Sequence, residues 1–193
     1  MSEATPLSSA RPTPIRTDRL ALRAFEVSDG PARLRYQGRE DVSQYLFREP
    51  HDAVSVLAGI CRNQEGVFQQ KDDRLLLAVT LGADGTLVGE VSARLDGVES
   101  AQVEIGWVFD PDHGGRGYAT EAAEALVQHL FRDKRAHRVF ARLDADNTAS
   151  ARLCERLEMS QEAHLVENEL WQGRWTSELI YARRARGGRL GDV

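Results

Sequence analysis

Apolar and polar residues alternate with two different periods along this chain, and each period predicts a different kind of element. Strict alternation is typical of a strand with one buried face. It begins at Leu20 and recurs between Val103 and Phe109, where Glu104 and Gly106 take the opposite face. Short apolar runs bounded by turn residues predict the remaining strands, which are 75–81, 87–95, 137–143, 166–170 and 175–182.

Helical periodicity is clearest in the second half of the chain. Seven apolar residues fall three or four positions apart and form one stripe: Ala119, Ala122, Ala123, Leu126, Val127, Leu130 and Phe131. Further helices are predicted from a Ser28 cap through Leu34, over 53–70, and over 148–157 after an Asn147 cap. The order β-α-α-β-β-β-α-β-α-β-β contains no repeat. It predicts an α/β fold in which helices cover a mixed sheet.

Length and composition indicate one domain with polar ends. The 193 residues suffice for a single sizeable core. Residues 1–14 are predicted to form a flexible arm and residues 183–193 an Arg/Gly-rich tail, which leaves one domain at 15–182. The net charge of −5 argues against general nucleic-acid binding. No apolar run approaches the roughly 18 residues of a membrane span.

The two cysteines, Cys61 and Cys154, are far apart and have no neighbouring metal-ligand pattern. This spacing argues against both a metal site and a disulfide framework. A secretory signal is also missing from the apolar pattern at the start of the chain. We therefore expect no metal and a reducing, cytoplasmic location.

The segment with three glycines carries the strongest chemical signal. Gly114, Gly115 and Gly117 lie between a predicted strand and the amphipathic helix. Uncovered amides beside the unpaired N–H groups of a helix start can bind phosphate or diphosphate. A Walker loop is excluded because Tyr118 and Ala119 follow the last glycine, and a dinucleotide fingerprint lacks its third glycine. The alternative is a turn that only begins the helix.

This segment resembles the acyl-CoA loop of the GNAT family of N-acetyltransferases, Q/R-x-x-G-x-G/A. The loop reads Gly114-Gly115-Arg116-Gly117-Tyr118-Ala119. The run from Gly117 to Ala122 especially resembles the branch of ribosomal-protein N-terminal acetyltransferases. Segments 17–23 and 173–181 resemble the first strand and last hairpin of that branch. The resemblance implies that residues 114–120 bind acetyl-CoA. Gly114 departs from the Gln or Arg of the pattern, so the backbone must carry the site.

The resemblance also implies where the thioester lies. In this family the fourth and fifth strands separate, and the pantetheine arm occupies the opening like an added strand. The backbone around Trp107, Val108 and Phe109 would then hold the thioester. A strand N–H would stabilise the carbonyl oxygen as it gains negative charge.

A second family segment, N-x-x-S/A-x-x-L-x-E-K-L-G-F, is similar to residues 147–157. Asn147, Ser150 and Cys154 share one helical stripe there. The resemblance makes Asn147 and Ser150 neighbours of the CoA arm. It makes Ser150 the first candidate for the acid that protonates the CoA thiolate, with Cys154 second. Helix capping is the alternative for Asn147 and Ser150, and packing as a small apolar side chain is the alternative for Cys154.

Glu104 is the leading candidate for the base that deprotonates the amine, because it lies on the second face of its strand beside a glycine. An ion pair on a half-exposed strand is the alternative. His113 is the second candidate, with a surface loop position as its alternative. Trp171 and Trp175 line the acceptor entrance or pack the last hairpin.

The resemblance in these segments implies that the chain is an N-acetyltransferase. It would transfer acetyl from acetyl-CoA to a primary amine by direct attack in a ternary complex. The acceptor would be a protein N-terminus or a small amine such as an amino acid, a polyamine or an aminoglycoside. The alternative is a non-catalytic CoA-binding sensor or scaffold of the same fold. The resemblance also leads us to expect a homodimer.

Overall fold

The computed structural model describes residues 13–62 and 68–185 of the chain, and in these ranges eight strands form one mixed sheet. The spatial order is β1-β2-β3-β4-β5-β6-β8-β7, and every neighbouring pair is antiparallel except β5 and β6. The strands are β1 (Ile15–Arg16), β2 (Leu20–Ala24), β3 (Arg74–Leu81), β4 (Leu87–Gly97), β5 (Gln102–Phe109), β6 (Arg138–Asp144), β7 (Ser160–Trp171) and β8 (Arg174–Arg184). The prediction of a mixed sheet is confirmed. The short β1 is additional, so the predicted fourth and fifth strands are β5 and β6.

Five helices cover the two faces of this sheet in the described ranges. They are α1 (Gly30–Gln37), α2 (Glu40–Ser43), α3 (Ala53–Arg62), α4 (Tyr118–Arg132) and α5 (Thr148–Arg156). The main core lies between one face and α4 with α5, while a smaller core on the opposite face includes residues from α1 and α3. The apolar stripe predicted on α4 contributes five buried residues to the main core.

Two helix boundaries differ from the prediction. Ser28 does not cap α1, because it lies within the 3-10 turn Val27–Asp29 and the N-cap of α1 is Asp29. The carboxylate of Asp29 is held by Arg23, whose Nη1 donates to it at 2.7 Å, and this fixes the entry into the helix. The predicted helix over 53–70 was also too long. Residues 63–67 lie outside the described ranges, and after them Gln70 is non-helical and donates its N–H to Asp73 at 2.8 Å.

The predicted ends are only partly within the described residues. Residues 1–12 of the arm and 186–193 of the tail lie outside them. At the other boundary β8 continues past the expected domain end at residue 182. Arg183 belongs to this strand and pairs with Glu124 of α4 at 2.9 Å. No helix in the described ranges is long and apolar enough to cross a membrane.

The pairing between β5 and β6 ends early, and this shapes the middle of the sheet. Only three residue pairs connect the two strands, and the last is Glu104 with Phe140. Beyond it, β5 continues to Phe109 alongside β4, and β6 continues to Asp144 alongside β8. The two central strands therefore separate, as the family resemblance implied.

Candidate active site

The loop between β5 and α4 requires glycine at two positions. Gly115 has a φ of 72° and Gly117 a φ of 77°, in the left-handed region that residues with a side chain rarely adopt. Gly117 is also the N-cap of α4, and the Glu121 N–H donates to its carbonyl oxygen at 3.1 Å. The preceding N–H groups have no acceptor within the helix. They form the N-terminal end that can bind a diphosphate.

Gly114, which departs from the family pattern, sits in a tight turn. Its N–H donates to the Pro111 carbonyl oxygen at 2.9 Å. A Cβ at this glycine would lie 3.0 Å from the same oxygen, closer than a side chain usually approaches. The 3-10 turn over Pro111–His113 therefore accounts for the glycine.

A cleft of about 770 Å³ lies against this loop. It is lined by Arg19, Phe109, His113, Gly114, Gly115, Arg116, Gly117, Tyr118, Ala119, Thr120, Glu121, Glu124 and Arg156. Three of these are arginines from distant parts of the chain. Arg156 of α5 reaches across the cleft to donate from Nε to the Thr120 hydroxyl at 3.0 Å. Guanidinium groups beside a helix N-terminus favour an anionic ligand.

Trp107, Val108 and Phe109 occupy the separated part of β5. Their partners on the β4 side are Val91, Glu90 and Gly89 respectively. On the side that faces β6, the paired residues end at Glu104. The backbone edge of these three residues is therefore exposed to a ligand lying between the strands, as the implied thioester position requires.

Ser150 contacts this separated strand directly. The indole Nε1–H of Trp107 donates to the Ser150 hydroxyl oxygen at 3.1 Å and thereby links β5 to α5. Asn147 is the N-cap of α5, and its Oδ1 accepts from the Ser150 N–H at 3.0 Å. Asn147 therefore caps α5, as the capping alternative predicted. It also holds Ser150 in place beside the opening.

Cys154 lies one turn further along α5 and is fully buried in the main core. Burial raises the pKa of its thiol to about 12. A thiol with this environment remains protonated at neutral pH and packs as a small apolar group. The structure thus favours the packing alternative for Cys154.

Glu104 forms an ion pair, which was the alternative to its role as a base. Its carboxylate binds the guanidinium of Arg94, the residue opposite it on β4. Arg94 also pairs with Asp72 at 2.7 Å. Glu104 lies at the last paired position before β5 and β6 separate, so it is at the inner end of the opening rather than beside the glycine loop.

The other aromatic and histidine candidates separate into two regions. His113 is half-buried and lines the cleft beside the glycine loop, whereas Glu104 lies at the inner end of the opening between β5 and β6. Trp171 and Trp175 lie at the end of the β7–β8 hairpin, and Trp175 is exposed rather than packed. The turn of this hairpin contacts the loop after α2, because Gln172 Nε2 donates to Glu49 Oε1 at 2.9 Å.

A buried charged network lies beside the separated part of β5, and the sequence pattern did not predict it. Glu90 of β4 accepts from Arg33 Nε at 2.7 Å and from the Tyr36 hydroxyl at 2.8 Å, and all three side chains are buried. Burial and the adjacent Glu90 charge raise the pKa of the Tyr36 hydroxyl far above its ordinary value. Glu90 is the register partner of Val108, so the network supports the separated part of β5. The sequence signal for this network was the charged residue Glu90 within the otherwise mainly apolar run 87–95.

No group of metal-ligating side chains was found among residues 13–62 and 68–185. The groups that the site presents are the loop amides, the three arginines, the Ser150 hydroxyl and the strand backbone. Together they match a site for a nucleotide-linked thioester.

Comparison with known proteins agrees with this geometry. The acetyltransferase (GNAT) domain model matches residues 19–160, and the chain belongs to this family. Among curated relatives, the uncharacterised N-acetyltransferase YnaD of Bacillus subtilis is 27% identical over 87% of this chain and 95% of its own. The spermidine N(1)-acetyltransferase of Vibrio cholerae is 22% identical over 81% of this chain and 87% of its own.

Solved structures of acetyltransferases also resemble this chain in fold. A GNAT-family acetyltransferase from Bacillus anthracis is 28% identical, with a TM-score of 0.80, covering 89% of this chain and 98% of that one. RimL, a ribosomal L7/L12 alpha-N-protein acetyltransferase in complex with CoA, has a TM-score of 0.76 at 20% identity, covering 89% of this chain and 98% of that one. The latter likeness shows the shared fold. The chain is an acetyl-CoA-dependent N-acetyltransferase that transfers acetyl to an amine.

Proposed function

We propose that the amine attacks the acetyl thioester directly while both substrates are bound, and that Ser150 donates a proton to the departing CoA sulfur. The amine nitrogen forms a bond to the carbonyl carbon, and the carbon–sulfur bond then breaks. The electron pair of that bond stays on the CoA sulfur. The carbonyl oxygen carries negative charge in the intermediate, and an N–H at Val108 or its neighbours would stabilise it.

The Trp107–Ser150 hydrogen bond is the observation that supports this role. An indole nitrogen can only donate, so the Ser150 oxygen is the acceptor in this contact. The hydroxyl hydrogen of Ser150 is therefore directed elsewhere and can be donated to the sulfur, while Ser150 takes a replacement proton from solvent water. Asn147 accepts from the Ser150 backbone N–H, so Ser150 is held at its backbone by Asn147 and at its side chain by Trp107.

We further propose that Glu104 takes the proton from the amine through a bridging water. Its side chain remains 24% exposed, although one carboxylate oxygen is engaged by Arg94. The ion pair keeps Glu104 in place at the inner end of the opening. Proton release directly to solvent is the competing outcome, and a Glu104 variant distinguishes the two.

The acceptor proposed for this enzyme is a primary amine, either a protein N-terminus or a small amine. The relatives include a spermidine acetyltransferase, and the fold is shared with a ribosomal-protein acetyltransferase. Two buried carboxylates lie opposite each other at the end of the opening, Asp144 on β6 and Glu178 on β8. Their negative charge favours a cationic amine over a neutral acceptor.

The deciding experiment measures release of free CoA thiol from acetyl-CoA. The acceptor panel contains polyamines, amino acids, aminoglycosides and short peptides with varied first residues. We expect turnover with at least one class, and Ser150→Ala should abolish most of it while CoA still binds. CoA binding without turnover on any acceptor would instead favour the sensor or scaffold alternative.

We also propose a homodimer, on the basis of the resemblance to the ribosomal-protein branch. The edge hairpin formed by β7 and β8 supports this, because Val166, Leu170 and Trp175 expose apolar side chains there. Light scattering should show a dimer at micromolar concentration, and Leu170→Glu should shift it to a monomer. A monomeric parent protein would refute the proposal.

A cytoplasmic location is proposed as well, from the cysteine pattern and the dependence on acetyl-CoA. Fractionation of cells expressing the full chain with a small epitope would test it. Recovery of the protein outside the cytoplasmic fraction would contradict it.

A further inference from the structure

The turn between β1 and β2 is hydrogen-bonded to the first turn of α4 through the carboxylate of Glu121. The Thr17 hydroxyl donates to Glu121 Oε1 at 2.5 Å, and the Arg19 N–H donates to the same oxygen at 3.0 Å. Arg19 Nε donates to Glu121 Oε2 at 2.7 Å. Both oxygens of Glu121 are thus occupied by residues more than a hundred positions earlier in the chain.

Arg19 also contacts the glycine loop itself. Its Nη1 donates to the Arg116 carbonyl oxygen at 3.0 Å, and its guanidinium lies over the Tyr118 ring at 5.0 Å from the centroid. A Cβ at Gly117 would lie 3.5 Å from Arg19 Nη2. The Arg19 side chain therefore contacts the residues on both sides of Gly117, which are Arg116 through its carbonyl oxygen and Tyr118 through its ring.

The charge of Glu121 gives this contact a second role. A carboxylate in the first turn of α4 would repel the diphosphate that the same helix end binds. Burial alone would raise the pKa of Glu121, but the bonds from Thr17 and Arg19 bring it below its ordinary value, so the group stays ionised. Arg19 neutralises this charge. Its own side chain remains 51% exposed on the wall of the cleft.

We propose that Arg19 and Thr17 are positioning residues of the acetyl-CoA site, acting through Glu121 and the Arg116 carbonyl. They fix the loop amides in the arrangement that binds the diphosphate, and Arg19 offsets the negative charge of Glu121 beside it. The proposal rests on acetyl-CoA as cosubstrate. It adds to the acyl-CoA loop a second segment, distant in sequence, that determines affinity for the nucleotide part of the donor.

The test compares Arg19→Met with Arg138→Met. Arg138 is a matched control, because it also pairs with a glutamate, Glu162 at 2.5 Å, and covers an aromatic ring, Phe140 at 4.6 Å. It lies on β6 at the paired end of the sheet, away from the cleft. Circular dichroism confirms folding of each variant, and calorimetry measures the CoA dissociation constant.

We expect Arg19→Met to weaken CoA binding about tenfold to a hundredfold, the range for losing charge-assisted hydrogen bonds, while Arg138→Met binds like the parent. A second readout separates positioning from general damage. The KM for acetyl-CoA should rise, whereas the KM for S-acetyl-pantetheine, which lacks the diphosphate, should stay within about twofold of the parent value.

Two outcomes would overturn the proposal. One is equal CoA affinity in Arg19→Met and the parent, and the other is an equal rise of KM for both donors. Thr17→Val and Arg19→Lys provide milder tests should Arg19→Met fold poorly, since each should raise the KM for acetyl-CoA alone. Failure of the parent protein to bind CoA would refute the enzyme assignment itself, which is a separate result.

Discussion

Replacing Gly117 with alanine should weaken CoA binding for a reason that can be separated from stability. The residue has a φ of 77°, and the left-handed conformation costs a residue with a side chain about 1–2 kcal/mol. The space around it is sufficient, because the nearest atom to an added Cβ is Arg19 Nη2 at 3.5 Å. The cost is therefore conformational strain, which the chain relieves by moving the N-cap of α4.

Such a movement displaces the amides that face the diphosphate. Losing one charge-assisted hydrogen bond costs about 1.5–3 kcal/mol, which corresponds to roughly tenfold to more than a hundredfold in the CoA dissociation constant. Gly117→Val should have a larger effect, because a β-branched side chain tolerates the left-handed region even less. Calorimetric titration with CoA measures the loss directly.

Gly85 provides a control with nearly the same backbone. It has a φ of 76° in the turn between β3 and β4, and an added Cβ would meet no atom within 4 Å. Gly85→Ala should lose a similar free energy of unfolding in urea but bind CoA like the parent. Equal CoA affinity in Gly117→Ala and the parent would refute the proposed amide site. Equal weakening in both variants would show that the effect is only destabilisation.

Three further predictions concern the proton donor to sulfur, the base and the buried network next to β5. Ser150→Ala should lower kcat by roughly 10²-fold or more with CoA affinity retained, whereas Cys154→Ala should change kcat less than about threefold; the reverse ranking would make the thiol the donor to sulfur. Glu104→Gln should lower the rate by roughly 10²–10⁴ if Glu104 is the base, and an unchanged pH–rate profile would assign deprotonation to another group or to water. Glu90→Gln leaves a buried guanidinium without its anion and should cost about 3–5 kcal/mol of unfolding free energy, whereas Asp41→Asn in an exposed ion pair should leave the urea midpoint nearly unchanged. A small loss in Glu90→Gln would show that the network is not important for stability.

The features that the sequence determined by itself depend on short stretches of chain. The glycine loop was predictable because a positive φ at two positions is a property of the residue type. The α4 stripe followed from helical periodicity alone, and the Asn147 cap of α5 followed from the preference of Asn for that position. Each of these rules acts over a few residues, and the structure agrees with each of them.

Element ends were predicted less well, because competing local contacts decide them. Ser28 is a good capping residue, yet Asp29 occupies the N-cap since its carboxylate is held by Arg23. Phe68 was predicted to be helical, but it is non-helical and buried in the main core. Neither outcome is visible in the pattern around the residue.

Only the tertiary structure decided how the site is assembled. The separation of β5 and β6 depends on where pairing with β4 and β8 continues, and the Arg33–Glu90–Tyr36 network joins α1 to the sheet. The sequence left Glu104 open as a base or as part of an ion pair, and only the structure identifies Arg94 as its ion-pair partner. The contact of Arg19 with Glu121 joins residues far apart in the chain. Periodicity and propensity describe neighbours along the backbone, whereas these charges meet because the folded sheet brings distant segments together.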